Sequence, residues 1–380
     1  MPGGTILSMD RYIGLMSGTS LDGIDGVLVS FGESGVAPLH VHAHAHRPFH
    51  ADLRAELLAL NASGANELHR AALAGNALVK SYAAVVSALL DSAEMRPRDV
   101  GAIGAHGQTV RHRPGEFDGV GYTLQLNAPA LLAERCGIDV VADLRSRDVA
   151  AGGTGAPLVP AFHRAVFARS DTSVCVLNLG GIANLTILYP DGRTLGFDCG
   201  PANALMDLWS KREIGADFDA NGDWAASGSV MQPLLQAMLA DPYFARLPPK
   251  STGRDLFNRN WLTALLQVHA ANERPQDIQA TLCELTACVC AQDIKRQAIE
   301  CRNVLVCGGG ALNRELMRRI SAHLPGVSVI ATDAMGLPAT QVEACAFAWL
   351  ARAFVEREPG NISTVTGARG PRILGALYPA

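Results

Sequence analysis

The sequence has no excess of positive charge, no cysteine pair spaced CxxC, and no unbroken apolar run near the roughly 18 residues of a membrane span. Each lack removes a class of function. A formal net charge of −4 leaves no electrostatic footprint for nucleic acid, so none is expected as a partner. Nine cysteines without a framework read as reduced thiols of a cytosolic protein. The opening residues, MPGGTILSMDRY, lack a basic segment followed by an apolar stretch, so no signal peptide is expected. There is no GxxxxGK[ST], hence no Walker A loop. There is no GxGxxG with an acid downstream either, which sets aside an NAD-dependent dehydrogenase.

What is present is the composition of an α/β protein, 48% apolar and only 18% charged. At roughly 100–200 residues per domain, 380 residues make two domains. Residues 13–29, IGLMSGTSLDGIDGVLV, read as strand, loop, strand. A hairpin turns on Asn-Gly alone. A tip bearing Gly18, Thr19, Ser20, Asp22 and Gly23 therefore calls for a reason other than turning. Residues 174–189, VCVLNLGGIANLTILY, repeat the form with Gly180, Gly181 and Asn184. Residues 303–320, NVLVCGGGALNRELMRRI, read as strand, glycine turn and helix, an order that points backbone N–H groups at an anion.

Glycines let a backbone approach phosphate closely, hydroxyls add donors, and Asp22 has the oxygen ligands that Mg²⁺ takes. The plainer readings are a polar-tipped hairpin and, for Gly308, Gly309, Gly310 and Asn313, an ordinary strand-to-helix turn. Two halves that each open with such a hairpin are a weak sign of duplication and a better sign of two loops serving one ligand. The domains are expected at 1–143 and 144–361, with the tail 362–380 rejoining the first. Residues 39–49, LHVHAHAHRPF, alternate with period two and place His40, His42, His44 and His46 on one face of a strand. They read as a solvated edge, not as a zinc site.

The motifs MSGTSLDG, GAHGQTVRH, LNAPALLAE, DLRSRDVAAGGTGAPL, NLGGIANLT, GFDCGPANALMD, PPKSTGRDLFN and VCGGGALN follow one another between residues 12 and 354. In this order they resemble the anhydro-N-acetylmuramic acid kinases of the actin, hexokinase and heat-shock ATPase superfamily. The resemblance implies two ribonuclease H-like domains with an ATP cleft between them. It implies that ATP and water convert 1,6-anhydro-N-acetylmuramic acid to N-acetylmuramic acid 6-phosphate in bacterial peptidoglycan recycling. It also implies Mg²⁺, a cytoplasmic location and a homodimer.

The resemblance implies Asp198, at the end of strand TLGF, as the base, and the first two loops as ATP phosphate binders. It implies the loop at 308–313 as the adenosine site and Asp22 as the metal ligand. His106, Gln108, Thr109 and Glu343 are expected to contact the amino sugar. Arg147 is expected to meet its lactyl carboxylate, with Arg145 as competitor. One position departs from the family pattern: Thr154 stands where a glutamine is expected in the GGxGAP loop. Two other readings remain open: a kinase of another small sugar or carboxylate, and an ATP-binding module switched by nucleotide without a small substrate.

Overall fold

The computed structural model describes residues 10–18, 21–32, 39–253, 256–271, 273–298 and 300–380. Thr19 and Ser20, two of the expected phosphate contacts, lie outside the described residues. The chain divides into two compact units, residues 1–166 with 343–380, and residues 167–342.

The first unit is built on a sheet of six strands: β1 (Arg11–Met16), β2 (Gly23–Phe31), β3 (Leu39–Pro48), β4 (Ala102–Ala105), β7 (Val140–Ala142) and β13 (Ala376–Tyr378). Their order is β13-β7-β4-β1-β2-β3. β1, β2 and β3 form an antiparallel meander, β4 and β7 run parallel to β1, and β13 closes the far edge antiparallel to β7. A separate hairpin joins β5 (Gln108–Pro114) to β6 (Gly121–Leu126). Of the residues HGQTVRH that follow β4, Gln108 to His112 belong to the first strand of this hairpin.

Central β1 is buried on both faces from Tyr12 to Leu15, which is why it reads as an apolar run and not as an alternation. Helix Glu67–Ser92 lies on β2 and β3 and buries Leu78, Tyr82, Val85 and Leu89, a spacing of three and four residues. It is the one helix among the described residues long and apolar enough to cross a membrane, and it serves here as the core helix of its unit.

Helix Val342–Val355 packs so close to the strands that β1 and β4 need glycine. A Cβ at Gly14 would strike the carbonyl of Ala344, and one at Gly104 the carbonyl of Phe347. That contact binds residues 343–380 to the first unit. On edge strand β3, His44 and His46 face Asp25 (3.4 and 3.0 Å) and His42 meets the Ser30 hydroxyl (2.9 Å). The two ring contacts hold the Asp25 carboxyl below its ordinary pKa although burial acts the other way.

The second unit repeats the plan with β8 (Val174–Leu179), β9 (Ile182–Leu188), β10 (Thr194–Pro201), β11 (Asn303–Cys307) and β12 (Ser328–Ala331). The order is β10-β9-β8-β11-β12, with β8, β9 and β10 antiparallel and β11 and β12 parallel to β8. This matches β3-β2-β1-β4-β7 strand for strand. Helix Pro275–Gln297 starts on a proline, where no donor is missed, and buries Ile278, Leu282 and Leu285 in the core formed with Leu177, Leu185 and Phe197. None of the nine cysteines forms a disulfide.

Candidate active site

In open α/β sheets ligands bind at the carboxyl ends of the parallel strands. In the first unit that edge carries the turn after β1, the turn after β4 and the segment after β7. Ser17 is spent inside the turn. Its hydroxyl donates to the Gly107 carbonyl (2.9 Å) and lies 3.0 Å from the Tyr82 hydroxyl, which accepts the Gly107 N–H (3.1 Å). Gln108 donates from Nε2 to the Gly18 carbonyl (3.1 Å), so the two turns are tied together. Asp22 stands exposed beyond them, with Oδ1 accepting the N–H of Gly23 (3.0 Å). A Cβ at Gly23 would meet the backbone of Arg47 and Pro48, so glycine there lets β2 enter close beside β3.

His106 is fixed in one tautomer. Arg145, which has only donors, approaches Nε2 from Nε (3.2 Å) and Nη2 (2.9 Å). Nε2 therefore carries no proton, and Nδ1 donates to the Ser17 carbonyl (3.2 Å). Burial, then the Arg145 charge, pushes the imidazole pKa down to about 3. Arg145 itself is lowered by burial to about 10, although Glu343 and Asp148 act to raise it. Its third arm donates to the Gly155 carbonyl (2.8 Å).

Buried Asp148 holds the glycine loop that follows. It accepts from the Gly155 N–H (2.8 Å), Asn361 Nδ2 (2.6 Å) and the Thr366 hydroxyl (2.8 Å). Thr154 is exposed, and its hydroxyl donates to the Ala156 carbonyl (2.7 Å). Of the residues expected to contact sugar, His106 touches Arg145 and Glu343 acts on its charge, while Gln108 reaches the turn after β1. Thr109 follows on β5 and accepts from Gln125 (3.2 Å). Arg147 is exposed on helix Ser146–Ala150, and its guanidinium makes no hydrogen bond or ion pair with a described residue. Gln108 is buried, and its Oε1 has no hydrogen-bond partner among the described residues. A buried orphan acceptor is costly unless a ligand supplies the donor.

In the second unit one row of paired residues crosses the sheet near the same edge: Asp198 beside Asn184, Asn184 beside Asn178, Asn178 beside Cys307. Just beyond it lie Gly180, Gly181 and Gly308 to Gly310. A Cβ at Gly308 would strike Asn178, and one at Gly310 would strike Leu179. Asn203, in the first turn of helix Asn203–Ile214, donates to the Leu179 carbonyl (2.9 Å), while the Gly180 and Gly181 carbonyls accept the first N–H groups of that helix. Asn313 caps helix Arg314–His323 by accepting the Leu316 N–H (2.9 Å).

Asp198 is 9% exposed. Its Oδ2 accepts the Ser251 hydroxyl (2.9 Å) and the Thr252 N–H (3.0 Å), and its Oδ1 accepts Asn184 Nδ2. Burial raises its pKa; Thr252, Ser251, Asn184 and Lys250 oppose the rise without cancelling it. Lys250 forms a buried ion pair with Asp293 (2.8 Å), and its carbonyl accepts the Asp198 N–H (3.1 Å). Tyr243 donates to the Asp198 carbonyl (2.7 Å). Reading the sequence did not single out Lys250, Ser251, Thr252 or Tyr243; the only signal was the polar run inside PPKSTGRDLFN. A cavity of about 810 Å³ lined by Arg169, Glu300, Cys301 and Arg302 lies by Ser173 and Asn303, at the opposite end of β8 and β11.

The model of the anhydro-N-acetylmuramic acid kinase family matches residues 10–380. Relatives bearing that name come from Variovorax paradoxus, 62% identical over 98% of this chain and 99% of the relative, and Albidiferax ferrireducens, 58% identical over 98% and 100%. A third, from Ralstonia nicotianae, is 56% identical over 98% of each chain. Among solved structures, an activator of 2-hydroxyisocaproyl-CoA dehydratase from Clostridium difficile aligns at TM-score 0.48 and 15% identity, covering 91% of this chain and 96% of that one, a likeness too slight to argue from.

Proposed function

The chain belongs to the anhydro-N-acetylmuramic acid kinase family, and from that premise we propose a role for each residue of the candidate site. The reaction is ATP-dependent: the 1,6-anhydro ring of anhydro-N-acetylmuramic acid opens with water, and oxygen 6 takes the phosphoryl group. The product, N-acetylmuramic acid 6-phosphate, belongs to peptidoglycan recycling.

Water attacking the anomeric carbon must lose a proton as an oxocarbenium-like centre develops. Asp198 is the base. The observation that carries this is a sheltered carboxylate with raised proton affinity and three fixed donors. Those donors occupy three of its roughly four acceptor positions, leaving one for the water. Gln108 Oε1 accepts a sugar donor, neutral His106 offers its ring edge, and Thr109 and Glu343 add polar contacts. Arg147 receives the lactyl carboxylate, since three of the five donors of Arg145 are engaged by His106 and Gly155 and those of Arg147 are not. Gly18, Thr19, Ser20 and Gly23, with Gly180, Gly181 and Asn184, hold the phosphates of ATP. Gly308 to Gly310 and Asn313 hold the adenosine. An exposed carboxylate at the head of β2 suits Mg²⁺, so Asp22 would hold the ion, which neutralises phosphate charge during transfer.

The test is product mass after incubation with Mg²⁺-ATP and anhydro-N-acetylmuramic acid in ¹⁸O water. A 6-phosphorylated sugar with ¹⁸O at the anomeric position, formed by wild type and not by Asp198→Asn, is expected. ATP consumption without that product would sink the assignment of the sugar. The protein is further proposed to act in the cytoplasm as a homodimer; light scattering that returned only the 40.1 kDa monomer would refute the dimer.

A further inference from the structure

Glu284, Cys288 and His323 stand together in the second unit and take no part in the chemistry above. Glu284 and Cys288 are one turn apart on helix Pro275–Gln297, and His323 ends helix Arg314–His323. From these residues we propose a Zn²⁺ site that clamps the two helices.

The donor set is a thiol, an imidazole and a carboxylate, the three ligand types zinc takes. Zn–S near 2.3 Å and Zn–N or Zn–O near 2.0–2.1 Å in a tetrahedron put ligand atoms roughly 3.3–3.6 Å apart. Cys288 Sγ lies 3.4 Å from His323 Nε2 and 3.6 Å from Glu284 Oε1. Only the contact from His323 Nε2 to Glu284 Oε1, 2.6 Å, must open, because a hydrogen bond fills it now. The carboxylate is already aimed: Arg319 donates to Glu284 Oε2 (2.7 Å), leaving Oε1 toward the other two ligands. That cation is offset by Glu315, which accepts from Arg319 Nε (2.7 Å). Such partners of a ligand are what hold metal sites in shape.

Burial and Glu284 push the Cys288 thiol up to about 12, so without metal it stays protonated. Binding releases the thiol proton to solvent and moves the His323 proton from Nε2, where it now bonds Glu284, to Nδ1, so that thiolate and neutral imidazole nitrogen face the ion. The side chain of His323 is 35% exposed, which gives the ion a way in and leaves the fourth position to water.

The test is titration of the metal-free full-length protein with Co²⁺ and then Zn²⁺, read by the visible spectrum and by competition with a chromogenic chelator. One equivalent of tetrahedral Co²⁺ with a thiolate-to-metal band, displaced by Zn²⁺, is expected. His323→Ala should weaken binding at least tenfold, and Cys288→Ser should abolish the thiolate band. Melting temperature should rise with Zn²⁺ in wild type and not in His323→Ala. A His44→Ala/His46→Ala control guards against zinc on β3. Binding that survives His323→Ala and disappears in the β3 variant, or no binding at all, would overturn the site.

Discussion

Asp198→Asn separates the chemistry of the carboxylate from its part in the fold. Oδ2 faces the Ser251 hydroxyl and the Thr252 N–H, and Oδ1 faces the amide of Asn184. The Thr252 N–H cannot become an acceptor, so an asparagine here keeps its carbonyl oxygen on that side. Its NH₂ then meets Asn184, whose own amide rotates to offer oxygen. All three hydrogen bonds survive the exchange. The charge does not, and burial makes that charge costly. A carboxyl raised in the folded state lends relative stability below its unfolded pKa, near 3.9, and loses it as pH climbs through the folded value. Asparagine carries no such loss at neutral pH. Weaker neutral hydrogen bonds set against that relief should keep stability within about 1 kcal/mol of wild type.

Catalysis has no such compensation. Losing a general base costs about 10²- to 10⁴-fold in kcat, or roughly 2.7–5.5 kcal/mol of barrier. Sugar and ATP KM should move little. The assay is coupled ADP release at saturating substrates, paired with a thermal melt. Wild-type kcat/KM should also rise with pH through the elevated Asp198 pKa, a limb that the variant lacks. A variant keeping more than about a tenth of wild-type kcat would refute Asp198 as base, because a base contributes at least about 100-fold. Loss of activity together with a collapsed melt would instead assign the carboxylate to the fold.

Lys250→Met leaves Asp293 buried and unpaired, and should cost about 3–5 kcal/mol in denaturant unfolding, while Lys250→Met/Asp293→Leu recovers most of it. If the double variant is no better than the single one, the ion pair is not what holds the Asp198 strand. Gly104→Ala drives a methyl onto the Phe347 carbonyl and should destabilise by at least about 2 kcal/mol, with sugar KM rising because the same helix carries Glu343. A wild-type melt would mean that helix and strand have room to part. His106 and His163 are both lowered by burial to about 3. The stability gained by keeping them neutral is complete above about pH 6.5 and lost as pH falls toward 3, so denaturant midpoints should drop between about pH 7.5 and pH 5. Equal midpoints would show the rings charge in place.

The strand–glycine turn elements were legible because each combines a continuous apolar run with glycine, and both signals are local. Strand β13 was not: three residues paired with β7 have no period to read. β5 was hidden for another reason. Its pairing with β6 carries a bulge between Thr109 and Arg111, so the alternation breaks where a reader would look for it. Which strands helix Val342–Val355 lies on was not legible, because the mark of that contact is an absent side chain at Gly14 and Gly104. Arg145 and Arg147 look equivalent in DLRSRD. Two residues apart on a helical turn they point roughly 160° apart, which turns one onto His106 and leaves the other in solvent. The setting of Asp198 was legible only as the polar run PPKSTGRDLFN, whose place beside Asp198 was not, since Lys250 to Thr252 arrive from some fifty residues away.

The two units share a strand order yet fill their turns with different chemistry, and that difference is the functional argument. After β4 the first unit places Gln108, whose buried Oε1 has no partner among the described residues, and after β7 it places exposed Arg147, side chains with an acceptor and donors to offer. After β8 the second unit places Gly180 and Gly181, where side chains are missing, and after β11 it places Gly308 to Gly310, of which Gly308 already donates its N–H to the Ala339 carbonyl (2.9 Å). Side-chain readers suit a sugar, whose hydroxyl, acetamido and carboxylate groups differ from place to place. Backbone readers suit phosphate, whose oxygens are alike and need close approach. Asn313 blurs the line. It is an expected adenosine contact, yet its side chain already caps the next helix by accepting the Leu316 N–H. What it can offer a nucleotide is the position of that helix and of the glycine turn before it, so the adenosine assignment rests on the backbone of Gly308 to Gly310.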